Sequence, residues 1–351
     1  MAILKTFGSN PSGKELDRIK VSSNYKGGIF QNLSETQSLA KGASFVKIMW
    51  RFFNKPKNTA PRKRLPSVKT DLKSFSTGEP VIIWFGHSSY FIHINGKNIL
   101  VDPVLSGYAS PFSFTGGSFK GSDAYSVDDF PELDLLILTH DHYDHLDHIT
   151  VKKLRSKTKS ICTSLGVGSH LKYWGVDPGI ITEFDWWDSK RIGDNTSTDS
   201  IELTAAPARH FSGRSHTRNK TLWSSFILKS GDYKIYVGAD SGYDSHFKTI
   251  GEKHGPFDIA MLECGQYNEW WPYIHMMPEE TVQAAVDLRT KMLMPVHWGK
   301  FALGLHPWDE PVKRVTAKAK ELNMPITTPL IGEPVIINSS YPDSQWWLDI
   351  N

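Results

Sequence analysis

The sequence predicts an α/β protein in which two β-sheets pack together with helices on the outside. Three observations predict it. Short apolar strands joined by a tight turn occupy residues 81–101. Further along, apolar strands alternate with helical segments. One of those strands, Leu135-Leu136-Ile137-Leu138, runs directly into Thr139-His140-Asp141-His142-Tyr143-Asp144-His145-Leu146-Asp147.

The elements follow in order. Residues 1–78 read as an N-terminal extension, rich in Gly, Ser, Asn and Lys with weak apolar periodicity. Residues 79–351 form the main domain. Val81-Ile82-Ile83-Trp84-Phe85 is a strand and residues 90–94 another, and Asn95-Gly96 supplies a two-residue turn into Asn98-Ile99-Leu100-Val101. Ser230-Gly231-Asp232 joins Ser225-Phe226-Ile227-Leu228 to Lys234-Ile235-Tyr236-Val237 in a second hairpin. Asp258-Ile259-Ala260-Met261-Leu262 and Met292-Leu293-Met294-Pro295-Val296 are later strands. Between them residues 279–290 form a helix, opened by Pro278 and two acids that suit the dipole of its first turn.

At 351 residues the chain buries a sizeable core without covalent staples. Its net charge of +3 argues against a nucleic-acid binder working mainly by charge. Cys162 and Cys264 form no CxxC pair, so neither a disulfide framework nor a thiolate metal site is implied. No signal peptide or membrane span is apparent, and a cytoplasmic protein is the expectation. Residues 41–73 depart from the average, with ten Lys or Arg against the single acid Asp71. Within them, Phe45-Val46-Lys47-Ile48-Met49-Trp50-Arg51-Phe52-Phe53 mixes bulky apolar residues with cations. Two expectations compete for residues 43–64: packing across the main domain with a solvated linker behind, or peripheral contact with an anionic membrane.

Three imidazoles and a carboxylate within six residues, at the end of a buried strand, point to metal binding. His140 and His142 lie two apart and can close on one ion from an extended or turning backbone. Asp144 and His145 follow on the same loop and can serve a second. Two ions need more ligands than this loop offers. His210, Asp240 and His297 each stand directly beyond an apolar strand and are the candidates. His87 and Asp102 suit the orienting of ligand rings. His93, His148, His170, His246 and His254 read as ordinary strand, helix or polar-surface residues. Of the pairs Trp186-Trp187, Trp270-Trp271 and Trp346-Trp347, most are expected in the core.

His140-x-His142-x-Asp144-His145 resembles the signature of the metallo-β-lactamase superfamily, which implies a four-layer αββα sandwich with a binuclear metal centre. Seven further blocks resemble N-acyl-phosphatidylethanolamine-hydrolysing phospholipase D and its bacterial relatives. They are Gly86-His87-Ser88, Leu100-Val101-Asp102-Pro103, Pro207-Ala208-Arg209-His210, Gly238-Ala239-Asp240-Ser241-Gly242-Tyr243, Gly255-Pro256-Phe257-Asp258, Pro278-Glu279-Glu280 and His297-Trp298-Gly299-Lys300-Phe301-Ala302-Leu303. The match covers residues 81–335. Asn10-Pro11-Ser12-Gly13, Asn24-Tyr25 and Phe30-Gln31-Asn32 resemble the leader of bacterial members.

The resemblance implies two Zn2+, with iron or manganese as alternatives. It assigns His140, His142 and His210 to one ion, and Asp144, His145 and His297 to the other, with Asp240 bridging. It places His275 near a substrate phosphate. The implied reaction is phosphodiester hydrolysis of phospholipase D type on N-acyl-phosphatidylethanolamine-like substrates, by hydroxide supplied between the metals. Asp144, Asp240 and His275 carry the catalytic roles, Asp144 holding or relaying the water's proton. Lys300 stands where the family pattern usually has threonine. Competing expectations are a lactonase similar to ascorbate-6-phosphate lactonases, against which His275 and Lys300 near the centre would argue, and a metal-binding module without turnover.

Overall fold

The computed structural model describes residues 5–76, 78–192, 200–214 and 216–350, with the backbone alone at Phe45, Phe52 and Phe53. Residues 1–4 and 77 of the expected extension lie outside that description. The chain begins with helix α1 (Gly13–Ile19), the two-residue strands β1 (Tyr25–Lys26) and β2 (Ile29–Phe30), and helix α2 (Phe45–Phe53). Ile19 and Phe30 are fully buried among Leu165, Trp186, Leu222 and Trp223. Ser44 caps α2 by accepting from the Lys47 amide, and Ile48 packs against Trp271, Ile274 and Leu305.

Thirteen further strands build two mixed sheets. The first contains β3 (Val81–Trp84), β4 (Tyr90–Ile94), β5 (Lys97–Val101), β6 (Leu135–Leu138), β7 (Ile161–Ser164), β8 (Ile181–Phe184) and the late strand β15 (Pro334–Ile336), in the order β15-β3-β4-β5-β6-β7-β8. The second contains β9 (Ser189–Ile192), β10 (Ile201–Ala206), β11 (Ser225–Ser230), β12 (Tyr233–Val237), β13 (Ile259–Glu263) and β14 (Leu293–Val296), in the order β14-β13-β12-β11-β10-β9. Both expected hairpins are present. Asn95 and Gly96 both take positive φ between β4 and β5, as their turn requires, and Ser230 pairs with Tyr233 across the other.

The period-two alternation of strands sorts side chains onto the two faces. Ile82 and Trp84 point into the core between the sheets, with Leu203, Phe226, Leu228 and Met261 from the facing sheet. Ile83 and Phe85 point outward into a second core, with Val151 and Leu154 of helix α3 (His148–Leu154) and Leu171 of helix α4 (Gly168–Tyr173). On the opposite face lie helices α5 (His246–His254), α6 (Pro278–Asp287) and α7 (Glu310–Glu321), through Ile250, Val282 and Val315. The four layers are therefore helix, sheet, sheet, helix. Helix α6 starts at Pro278 as expected but stops at Asp287 rather than residue 290, since Arg289 turns into the left-handed region at φ 60°. Trp346 and Trp347 are core residues, Trp346 stacked on Trp298 and tilted against Trp308, Trp347 edge-on to Trp298.

The topology has one consequence for function. Within the first sheet β3 and β6 run the same way, and within the second so do β10, β12, β13 and β14. Loops leaving their carboxyl ends carry His87, His140, His210, Asp240 and His297, while Glu263 is the last residue of β13. No helix among the described residues is long and apolar enough to cross a membrane.

Candidate metal centre

The expected ligands come together from four separate loops. Beyond β6 the chain has no regular structure through His142, then turns so that the amides of His145 and Leu146 both donate to the His142 carbonyl, at 3.1 and 2.8 Å. Asp147 closes the turn by capping α3 through the Ile149 amide at 3.0 Å. The loops after β3 and β14 clasp each other: the His87 amide donates to the Trp298 carbonyl at 2.8 Å, and the His297 amide to the His87 carbonyl at 2.9 Å. Both histidines sit at positive φ, 54° and 67°, a cost tolerated where a side chain must be aimed.

Two groups of ligand-type atoms result, each within 4.8 Å: His140, His142, His210 and Asp240 in one, His87, Asp144, His145 and His297 in the other. A third, overlapping group joins Asp240, Glu263, His275 and His297. Asp240 spans the first two. Its Oδ2 lies 3.2 Å from His145 Nε2, 3.3 Å from His297 Nε2, 3.8 Å from His210 Nε2 and 3.9 Å from His140 Nε2.

Hydrogen bonds on the outer side of the rings decide what the inner nitrogens offer. The Thr139 hydroxyl donates to Asp102 at 2.6 Å, so it accepts from His140 Nδ1 at 2.9 Å, leaving a lone pair on His140 Nε2. His210 Nδ1 can only donate to the Ile274 carbonyl, at 2.8 Å, which leaves a lone pair on Nε2 as well. These two nitrogens approach His142 Nδ1 to 3.0 and 3.1 Å. Burial holds all three imidazoles below their ordinary pKa of 6.5, and so neutral. Lone pairs converging beside a buried carboxylate whose other oxygen, Asp240 Oδ1, has no partner fit a cation. The donors are imidazole nitrogens and carboxylate oxygens with no thiolate, which suits Zn2+, iron or manganese.

The second group is charged differently. Burial works against ionisation of its members, yet Asp240 and Asp144 raise His145 well above its ordinary value, and His297 is pushed up to about 10 by Asp240, Asp144 and Glu263. Burial likewise opposes ionised Asp144, but His145, His297 and His87 hold it well below the carboxylate range. Asp102 orients His145 by accepting from Nδ1 at 2.8 Å, the role its sequence position suggested. His87 does more than orient a ring: its Nε2 stands 2.9 Å from Asp144 Oδ2, among the ligand atoms themselves.

His170 and Lys300 differ from the sequence expectation, as does His246, which is buried with its Nε2 3.2 Å from Ser241 Oγ. His170, read as a residue in polar surroundings, is buried behind the metal loop. Its Nδ1 accepts from the Ser9 amide at 3.0 Å, so its Nε2 carries the proton and donates to Asp141 Oδ2 at 3.3 Å, and Asp141 also takes the Gly213 amide at 2.7 Å. The N-terminal segment around Ser9 thus braces the loop between His140 and His142. A Cβ on Gly8, which has φ 70°, would stand 2.2 Å from His170 Nδ1. Gly8→Ala is expected to lower stability by roughly 1–3 kcal/mol, visible as a lower melting temperature together with weaker metal retention. Lys300 is buried, but its Nζ pairs with Asp123 at 3.3 Å and the Phe85 carbonyl at 3.4 Å, outside the cleft lining, so it gives no argument against a lactone.

The two groups open on a cleft of about 560 Å³. Metal-side residues His142, Asp144, Asp240 and His297 form its floor with His275, and Leu39, Ile48, Phe211, Trp271, Ile274 and Leu303 its apolar walls. Trp271 is therefore a wall residue as well as a packed one. Residues 97–298 match the family model described as the Beta-lactamase superfamily domain. The chain belongs to the metallo-β-lactamase superfamily. Among its relatives in that superfamily, an uncharacterized protein of Mycobacterium tuberculosis is 36% identical over 331 residues, 93% of this chain and 87% of that one. The N-acyl-phosphatidylethanolamine-hydrolyzing phospholipase D 1 of Caenorhabditis elegans is 32% identical over 232 residues, 63% of this chain and 64% of its own. Igni18, a metallo hydrolase of Ignicoccus hospitalis, shares the metallo-β-lactamase fold with a TM-score of 0.57 at 17% identity, over 75% of this chain and 100% of that one.

Proposed function

We propose that this protein, a metal-dependent hydrolase of the metallo-β-lactamase superfamily with a His/Asp metal site, is a zinc phosphodiesterase of phospholipase D type. Its substrates would be N-acyl-phosphatidylethanolamine-like phosphodiesters. The observation that carries this is the pairing of a binuclear donor set with an apolar cleft directly above it. A phosphodiester bearing a long acyl chain has both a charged group for the floor and methylene surface for Leu39, Ile48, Phe211, Trp271, Ile274 and Leu303. Arg218, also on the cleft, offers a cation to an anionic substrate.

His140, His142, His210 and Asp240 would hold one zinc, and Asp144, His145 and His297, with Asp240 shared, the other. Bound there, two zinc ions supply a water acidified toward neutral pH and positive charge beside the phosphoryl oxygens. Asp144, at the cleft floor and held by His87, is placed to take the water's proton. His275 lines the cleft floor beside the phosphoryl group, and the apolar walls keep bulk water from the reacting phosphorus. The bond formed joins water oxygen to phosphorus. The bond broken releases the N-acylethanolamine alkoxide, which leaves with a proton.

The test is steady-state hydrolysis of bis(p-nitrophenyl) phosphate, N-acyl-phosphatidylethanolamine and a simple lactone by zinc-loaded protein. Turnover of both phosphodiesters is expected. Turnover of the lactone alone would replace this substrate class with the other chemistry the same donor set serves.

A lipid substrate also favours membrane contact by α2 over packing across the main domain alone. Ile48 faces the cleft, while Val46, Met49 and Trp50 are 76%, 38% and 61% exposed beside the exposed cations Lys47 and Arg51. Such a helix suits an anionic bilayer surface, with the cleft opening beneath it. Lys47→Glu combined with Arg51→Glu is expected to weaken flotation with phosphatidylglycerol-containing vesicles at least about thirtyfold, at roughly 1 kcal/mol per cation removed. Unchanged flotation would return α2 to a purely packing role.

A further inference from the structure

Glu263 lies outside both ligand sets carried over from the family pattern, yet it touches both the metal-side His297 and the cleft residue His275. It ends β13, is 1% exposed, and is therefore a buried carboxylate that must be met by donors. Its two oxygens divide the task. Oε1 accepts the Ser241 amide at 2.5 Å, immediately after Asp240. Oε2 stands 2.7 Å from His275 Nδ1 and 3.3 Å from His297 Nδ1. The His297 approach lacks hydrogen-bond alignment, but that nitrogen has no other partner. The Thr281 hydroxyl donates to the Glu263 carbonyl at 2.7 Å, so its backbone is held from α6 as well.

We infer that Glu263 is a positioning residue shared by His297 and His275, coupling the metal floor to the histidine that meets the substrate. The physical reason is tautomer control. A carboxylate oxygen has no proton to give, so the nitrogen facing it carries one, and each ring keeps its Nε2 for inward use. For His297, Nε2 is the atom 3.3 Å from Asp240 Oδ2 and 3.4 Å from Asp144 Oδ2. For His275, whose ring stacks 5.2 Å from that of His297, the same anchor fixes the ring's direction at the cleft floor. One side chain thus sets the distance between a ligand and a substrate-facing group, and its link to the Asp240 loop through Ser241 extends that register to the shared carboxylate.

This inference rests on the role proposed for His275, so its test separates the two. Zinc-loaded full-length wild type, Glu263→Gln, His275→Ala and the double variant are compared on bis(p-nitrophenyl) phosphate, with zinc retention measured by equilibrium dialysis. Glu263→Gln keeps the volume but lacks the charge and can offer one of the rings an amide donor. It is expected to lower kcat about 10–100-fold with little change in KM, and to weaken retention of one zinc. The double variant is expected to match the kcat of His275→Ala, because a positioner adds nothing once its ring is gone. Glu263→Asp, which keeps the charge on a shorter arm, is expected to fall between wild type and Glu263→Gln, and carries the comparison should the glutamine variant fail to fold. Wild-type kcat in Glu263→Gln, or losses that multiply in the double variant, would overturn the inference. Wild-type kcat in His275→Ala would instead sink the role of His275. Glu263 would then stand on weakened zinc retention in Glu263→Gln and fall on unchanged retention.

Discussion

Asp240→Asn is expected to cut turnover of bis(p-nitrophenyl) phosphate by roughly three orders of magnitude or more, the largest effect of any single change in the chain. Asp240 Oδ2 is the oxygen that reaches imidazoles of both ligand groups, and Oδ1 is buried without a partner. Asparagine removes the charge that holds two cations side by side and sets an amide where one oxygen stood. Metal-centred stabilisation of developing charge is worth several kcal/mol, and each 1.36 kcal/mol is about tenfold in rate. The measurement is kcat alongside zinc content, and the variant should hold fewer than two ions. Full activity with two bound ions would show that Asp240 is not the shared ligand.

The second large effect is the pH dependence of metal binding, which should differ between the two halves. In zinc-stripped protein, burial keeps His140, His142 and His210 neutral near pH 7, so their ion binds without displacing protons. Despite burial, His145 and His297 stay protonated under the influence of Asp240 and Asp144, His297 up to about 10. Zinc takes neutral imidazole, so the second ion must release up to two protons, and its apparent affinity should rise roughly tenfold per pH unit for each proton released. Calorimetry in buffers of different ionisation enthalpy separates the two events. Equal proton release at both sites would contradict the charge pattern.

Stability of the stripped protein follows with definite signs. The raised His145 and His297 stabilise the fold fully below their ordinary value of 6.5, a contribution lost as pH rises toward 10. The depressed Asp144 and Asp240 stabilise it above 3.8, and that contribution is lost as pH falls through their folded values. The melting temperature of the stripped protein should therefore decline from pH 7 to pH 10, while the zinc-loaded protein, whose imidazoles have already given up these protons, should decline less.

Much of the site was legible because its densest part is local. His140, His142, Asp144 and His145 occupy one loop, and their spacing suffices to propose two ions. His210, Asp240 and His297 were found by a simple rule, a ligand-type residue just past an apolar strand, which works because strands running one way deliver their carboxyl ends to one edge. Glu263 obeys the same rule at the end of β13, but it stands in no motif and its histidine partners come from later loops. His170 is illegible for the opposite reason. Its polar sequence neighbours suggest surface, but the chain around residue 9 folds over it and makes it a brace. Lys300 follows the candidate ligand His297 closely in sequence, yet the left-handed turn at Gly299, φ 73°, precedes it and its ammonium pairs with Asp123 outside the cleft. Strand β9, Ser-Lys-Arg-Ile with three exposed residues, carries no apolar alternation and owes its pairing to β10 rather than to its own composition.

In the proposed reaction water attacks phosphorus at this centre, a step that hydrolysis of N-acyl-phosphatidylethanolamine in ¹⁸O-enriched water reads out. One ¹⁸O is expected in the phosphatidic acid and none in the N-acylethanolamine or in free fatty acid, with no products from Asp240→Asn. Label appearing in fatty acid, or no hydrolysis by protein carrying two zinc ions, would contradict it.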